Sequence, residues 1–138
     1  EVAKALIAAD EAWTPPRTKL KPPAEWIAAV LRLTDGGPLV PIGLVMGAQA
    51  QLGAALWRPP APNGYSDREA AWIDGVPHRL DLANQFANRL AMSGDPIEML
   101  DSALGPLASA QTRDTVLRAE SRAQALTLLV MSPEFLRS

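Results

Sequence analysis

Thirteen prolines and nine glycines punctuate this 138-residue chain, and most fall between helix-like patterns rather than inside them. A proline inside a helix removes a backbone hydrogen bond and clashes with the preceding turn, so each marks a start or a stop. The intervals are long enough for short helices only. Nothing alternates polar with apolar for long enough to form a strand, and runs of β-branched residues are almost absent. These features predict an all-α fold: an irregular, compact bundle of about eight short helices with no sheet.

The boundaries follow from local chemistry. Val2, Ala5, Leu6 and Ala9 form the stripe of a first helix over 1–12. The pattern is already under way at Glu1, so the expectation is a helix that continues upstream and lacks cover on its apolar face. Pro22 and Pro23 open a second helix near 23–33, with Trp26, Ile27, Val30 and Leu31 inward. A third spans about 39–55. Leu39, Ile42, Met46 and Leu56 suit its buried face, and Gly43 and Gly47 permit close approach of a neighbour. Ser66-Asp67-Arg68-Glu69 reads as a capping box for a short helix ending near Asp74-Gly75.

Pro77 opens the longest helix, to about Met92. Val76, Leu80, Ala83, Phe86, Ala87 and Leu90 are assigned to its apolar side, and His78, Arg79, Asp81 and Asn84 to its polar side. Asp95-Pro96-Ile97-Glu98, Ser109, Ser121 (a helix over 122–131) and Ser132-Pro133-Glu134 each carry N-cap chemistry.

This length suits one domain, over 1–138, burying roughly two-thirds of its unfolded surface. The net charge of −2 lacks the basic footprint of a nucleic-acid binder. No cysteine is present, which excludes disulfides and thiolate chemistry. Residues 36–57 carry no charge, but Pro38, Pro41, Gly43, Gly47, Gln49 and Gln51 dilute the run below the hydropathy of a membrane span. It is read as a buried helix.

Chemistry-bearing residues are sparse. His78 is the only histidine, and its polar neighbours favour a surface or capping role over catalysis. One histidine and no cysteine argue against a transition-metal site, so neither a metal nor a cofactor is expected. Asp95, Glu98 and Asp101 line up at helical spacing, most economically as a solvated first turn. Arg17, Lys19 and Lys21 form a basic cluster on a Pro-bounded connector. They either contact an anion or pair with helix C-terminal carbonyls and nearby acids. No phosphate-cradling glycine loop is present.

The segment Leu56-Trp57-Arg58-Pro59-Pro60-Ala61-Pro62-Asn63-Gly64-Tyr65-Ser66-Asp67 is a stiff loop with aromatic anchors at both ends. Trp57 with Tyr65 either stacks on a sugar or peptide, together with Arg58 and Asp67, or locks the loop onto the domain. The locking role is favoured, with Trp57 largely buried.

The order of several segments carries a resemblance. Lys19-Leu20-Lys21-Pro22-Pro23-Ala24-Glu25-Trp26 is followed by Leu56-Trp57-Arg58-Pro59-Pro60, Asn63-Gly64-Tyr65 and Trp72. Then come Phe86-Ala87-Asn88-Arg89-Leu90, Ala103-Leu104-Gly105-Pro106-Leu107, Arg118-Ala119-Glu120-Ser121-Arg122 and Ser132-Pro133-Glu134-Phe135. In this the chain resembles the C-terminal portion of the bacterial family termed domain of unknown function 1800. The resemblance implies a longer protein with a larger N-terminal helical region, often exported, in a cell-envelope setting. It carries over no catalytic residues.

The expected function is a helical scaffold or interaction module. Its partners would be the N-terminal region of the same protein, another protein or a second copy. The alternative is half of a glycan- or anion-binding or hydrolytic cleft completed by that region. An interaction module should expose an apolar patch. A half-site should gather Lys19, Lys21, Arg58 and Asp67 on one surface.

Overall fold

The computed structural model describes residues 1–10, 19–34, 40–66, 68, 70–73 and 75–138. These form nine α-helices: α1 (Val2–Ala8), α2 (Pro23–Arg32), α3 (Ile42–Gln51), α4 (Ala70–Ile73), α5 (Val76–Leu90), α6 (Pro96–Ala103), α7 (Ala110–Leu117), α8 (Arg122–Val130) and α9 (Pro133–Leu136). A 3-10 turn over Gly105–Leu107 joins α6 to the segment before α7. No strand is present among the described residues. One isolated antiparallel bridge, Leu20 to Arg137, ties the connector before α2 to the C-terminal segment.

Four predicted caps are realised. Asp95 accepts from the Ile97 amide, Ser109 from Thr112, Ser121 from Gln124 and Ser132 from Phe135. Each satisfies an N–H that the first helical turn leaves without a partner. At the start of α4 the bond differs from a capping box. The Ser66 hydroxyl accepts from the Arg68 amide, two residues on, at 3.2 Å. Asp67 and Glu69 lie outside the described residues.

The core is organised around α5 and α8, which share the most extensive helix contact; α8 also packs against α6, α7 and α9. Trp26 from α2 reaches into this centre and is fully buried. Its Nε1–H donates to the carbonyl of Val130 at 3.0 Å, an acceptor in the last turn of α8 that has no helical donor. Phe86 of α5 meets the indole edge-on, with ring centroids 6.2 Å apart.

Three expectations need correction. On α5 the buried face is Arg79, Leu82, Ala83, Phe86, Ala87 and Leu90, so Arg79 belongs inside, whereas Leu80 is 47% exposed. This stripe follows the spacing i, i+3, i+4, i+7, i+8 and i+11. On α3 only Ala48 is buried, with Leu44 and Val45 partly covered, while Ile42 is 73% and Met46 47% exposed. The helix is apolar on nearly every side, so its composition does not choose the face that packs on α2. A Cβ built on Gly43 or Gly47 would meet nothing within 4 Å, so among the described residues no neighbouring helix makes a close approach there. Leu39 lies outside the described residues.

α1 ends at Ala8 and buries none of its residues; Val2, Leu6 and Ile7 are exposed. No helix among the described residues is long and apolar enough to cross a membrane.

Candidate functional site

The loop after α3 is built from its hydrogen bonds outward. α3 stops at a glycine cap. Gly53 has φ 80°, its amide donates to Ala50, and the Ala54 amide donates to Gln49 at 2.8 Å. That pair of bonds satisfies two C-terminal carbonyls in the Schellman arrangement.

A turn follows in which the Arg58 amide donates to the Ala55 carbonyl at 3.1 Å. Trp57 occupies its third position with φ 61°, a left-handed conformation usually left to glycine or asparagine. The base of the loop is stapled twice. The Tyr65 hydroxyl donates to the same Ala55 carbonyl, and the Trp72 indole N–H donates to the Ser66 carbonyl at 3.1 Å. The Tyr65 and Trp72 rings lie 6.2 Å apart at a 51° tilt, and Trp72 is buried.

The aromatic lock is therefore Tyr65 with Trp72. Trp57 is not part of it: its side chain is 89% exposed, contrary to the burial expected for it. It stands instead at the left-handed position of the turn, while the staple is made by Tyr65 and Trp72. Arg58, Pro59 and Pro60 beside it are exposed, and Leu56 is half-exposed. Asp67 lies outside the described residues.

The basic connector behaves differently along its length. Arg17 lies outside the described residues. Lys19 is exposed, and its carbonyl accepts from the Ser138 amide at 2.9 Å. Lys21 is half-buried: its Nζ donates to the Phe135 carbonyl at 2.5 Å and lies 4.8 Å from the Phe135 ring centroid. The Lys21 backbone carbonyl in turn accepts from Arg79 Nη2 at 2.6 Å. Lys21 also lines a cleft of about 360 Å³ with Arg32, Ser102 and Phe135. The Trp57 loop takes no part in that cleft.

Arg79 is the residue that composition alone conceals. It is fully buried, with its guanidinium 5.7 Å from the Trp26 ring centroid. Nε and Nη1 have no hydrogen-bond partner. Burial pulls the group down to about 10. Its signal in the sequence is positional, because Arg79 begins the stripe that continues through Leu82, Ala83 and Phe86.

A second polar cluster joins α7 to α9. The Ser109 amide donates to Glu134 Oε1 at 3.2 Å and the Thr112 hydroxyl to Glu134 Oε2 at 2.9 Å. The Ser109 hydroxyl lies 3.1 Å from that of Thr112. Partial burial pushes the Glu134 carboxyl up, but the hydrogen bonds from Ser109 and Thr112 outweigh it and hold the group below its ordinary value. No histidine belongs to this cluster; the one ionisable group in it is the Glu134 carboxylate, which accepts from the Thr112 hydroxyl. Among the described residues no group of three or more histidine, aspartate or glutamate side chains is placed to hold a metal ion.

An irregular all-α fold with an outward-facing Trp-Arg turn is the class these features define. Residues 1–137 match the family model described as protein of unknown function (DUF1800), and the chain belongs to that family. No curated protein matches the chain. No solved structure matches it either.

Proposed function

We propose that the chain is a helical interaction module, a single all-α domain that docks a protein partner through the Trp57 loop. The observation that carries this reading is the indole of Trp57, 89% exposed at φ 61° on a loop stapled at both ends of its base. A left-handed conformation at a bulky residue costs about 1–2 kcal/mol. A buried partner pocket offsets that, since tryptophan and arginine are the residues most often found at binding hot spots. Exposed Ile42 and Met46 on α3, with Leu56, add apolar surface around the same part of the chain. The family resemblance supports a bacterial, envelope-associated protein, with the N-terminal helical region of family members as the first partner.

The test is co-elution of this chain with that N-terminal region, produced as a separate polypeptide. Trp57→Ala is expected to weaken the complex by about 2 kcal/mol or more while leaving the chain folded. An unchanged complex would refute the assignment of the loop. The second reading, an anion-binding half-site, draws on the cleft that contains Lys21, Arg32 and Ser102 but no carboxylate.

A further inference from the structure

A cleft of about 410 Å³ opens where α5, α7, α8 and α9 meet. Its apolar wall is Leu80, Leu128 and Met131, and its polar wall holds Gln111, Thr112 and Glu134. Three threonine hydroxyls around it are engaged within the protein. Thr112 donates to Glu134 and Thr115 to the Gln111 carbonyl at 2.8 Å, and the Thr127 hydroxyl lies 3.0 Å from the Ala123 carbonyl and 3.1 Å from Asn84 Oδ1.

Among the residues that line the cleft Glu134 is the one charged side chain, while Gln111 and Ser132 bring donors as well as acceptors. Each hydroxyl oxygen keeps a lone pair, and each Glu134 oxygen uses one site on a protein donor. Among the described residues the Glu134 carboxylate takes part in no ion pair. The two ion pairs among the described residues are Arg113 with Asp101 and Arg118 with Asp114. Arg137 shares an adjoining pocket with Glu134, Leu107 and Pro133.

We infer that this cleft receives a basic side chain, a lysine or arginine of a partner polypeptide. The charged head meets Glu134, and the aliphatic stem lies along Leu80, Leu128 and Met131. Lysine and arginine carry donors, no acceptor and a positive charge, which complements the one carboxylate on this lining. Their methylene stems suit the apolar side, as they do wherever long cations lie along hydrophobic surface. A phosphate or carboxylate ligand would bring only acceptors and negative charge to the same wall. The site is separate from the Trp57 loop and does not depend on the role proposed for it.

The experiment is a titration of the isotope-labelled chain followed by amide chemical shifts. The probes are acetyl-Ala-Lys-Ala-amide, its norleucine counterpart and 1,4-diaminobutane. The lysine peptide should give saturable shifts at Ser109, Thr112 and Phe135, and the norleucine peptide none. Glu134→Gln should weaken the lysine peptide by about tenfold or more, the loss expected when one member of a desolvated charge pair is removed. Glu134 also braces α7 against α9, so Leu80→Lys serves as the second variant. Leu80 is half-exposed, and a lysine there puts an ammonium into the cleft from the chain itself, which should abolish peptide binding in a folded protein. Equal shifts from the norleucine peptide, tighter binding of the free diamine than of the peptide, or unchanged binding by the Leu80→Lys protein would each overturn the inference.

Discussion

Replacing Arg79 with methionine should leave stability within about 1 kcal/mol of the parent, although the residue is fully buried and charged. The losses are identifiable. The bond from Nη2 to the Lys21 carbonyl at 2.6 Å is charge-assisted and contributes about 1.5–3 kcal/mol. Stacking over Trp26 at 5.7 Å adds about 0.5–2 kcal/mol. Against them stand Nε and Nη1, both removed from water and unpartnered, at about 1–3 kcal/mol each. The two sides nearly cancel, and methionine refills most of the volume with a flexible apolar chain.

Arg79→Ala has no such compensation. It empties a side-chain volume in contact with Trp26 and should cost about 3 kcal/mol, as large-to-small core changes do. Urea unfolding followed by far-ultraviolet circular dichroism measures both variants, and a thermal scan should separate them by about 3–5 °C per kcal/mol at this chain length. The depressed guanidinium still titrates near 10, so folded and unfolded states are both protonated at neutral pH and the comparison does not shift with pH there. A methionine variant as unstable as the alanine variant would refute the reasoning, because it would show that the charge itself holds the core.

Trp57→Ala should melt within about 0.5 kcal/mol of the parent, as exposed positions do, whereas Trp26→Ala should lose about 3–5 kcal/mol. Trp57→Gly should stabilise the free chain by about 1 kcal/mol by relieving the left-handed backbone, and a lower melting temperature for it would contradict the φ of 61°. Glu134 is held below its ordinary value of 4.5, so its contribution is present at neutral pH and is lost as pH falls from 4.5 through the lower folded value. Glu134→Gln should therefore be less stable than the parent at neutral pH and approach it in acid, as read from paired urea curves. A gap that persists unchanged in acid would mean that the carboxylate charge contributes nothing.

The helix starts were legible because their chemistry is local. A serine or aspartate that accepts from an amide two or three residues on needs no knowledge of the rest of the fold. That is why Asp95, Ser109, Ser121 and Ser132 were readable as caps. Which side of a helix faces inward is a different question, settled by neighbours. On α5 the charge of Arg79 pointed to solvent, yet its planar head lies over the Trp26 ring and its stem continues the buried stripe. On α3 nearly every side is apolar, so the sequence offers no contrast from which to read a buried face. The polar cluster at Glu134 was half legible: Ser109 and Glu134 were visible as helix-start residues, but their pairing spans 25 positions.

The tryptophans show the same division at the candidate site. An indole that goes inside must satisfy its N–H, and Trp26 and Trp72 do so on the carbonyls of Val130 and Ser66. Those acceptors exist because α8 ends at Val130 and because the loop before α4 leaves the Ser66 carbonyl outside any helix. Trp57 has no such neighbour. It sits at the third position of a turn closed by its own loop, in which the Ala55 carbonyl already accepts from Arg58 and Tyr65. The left-handed residue of this turn is thus also the one whose large side chain stays outside, 89% exposed.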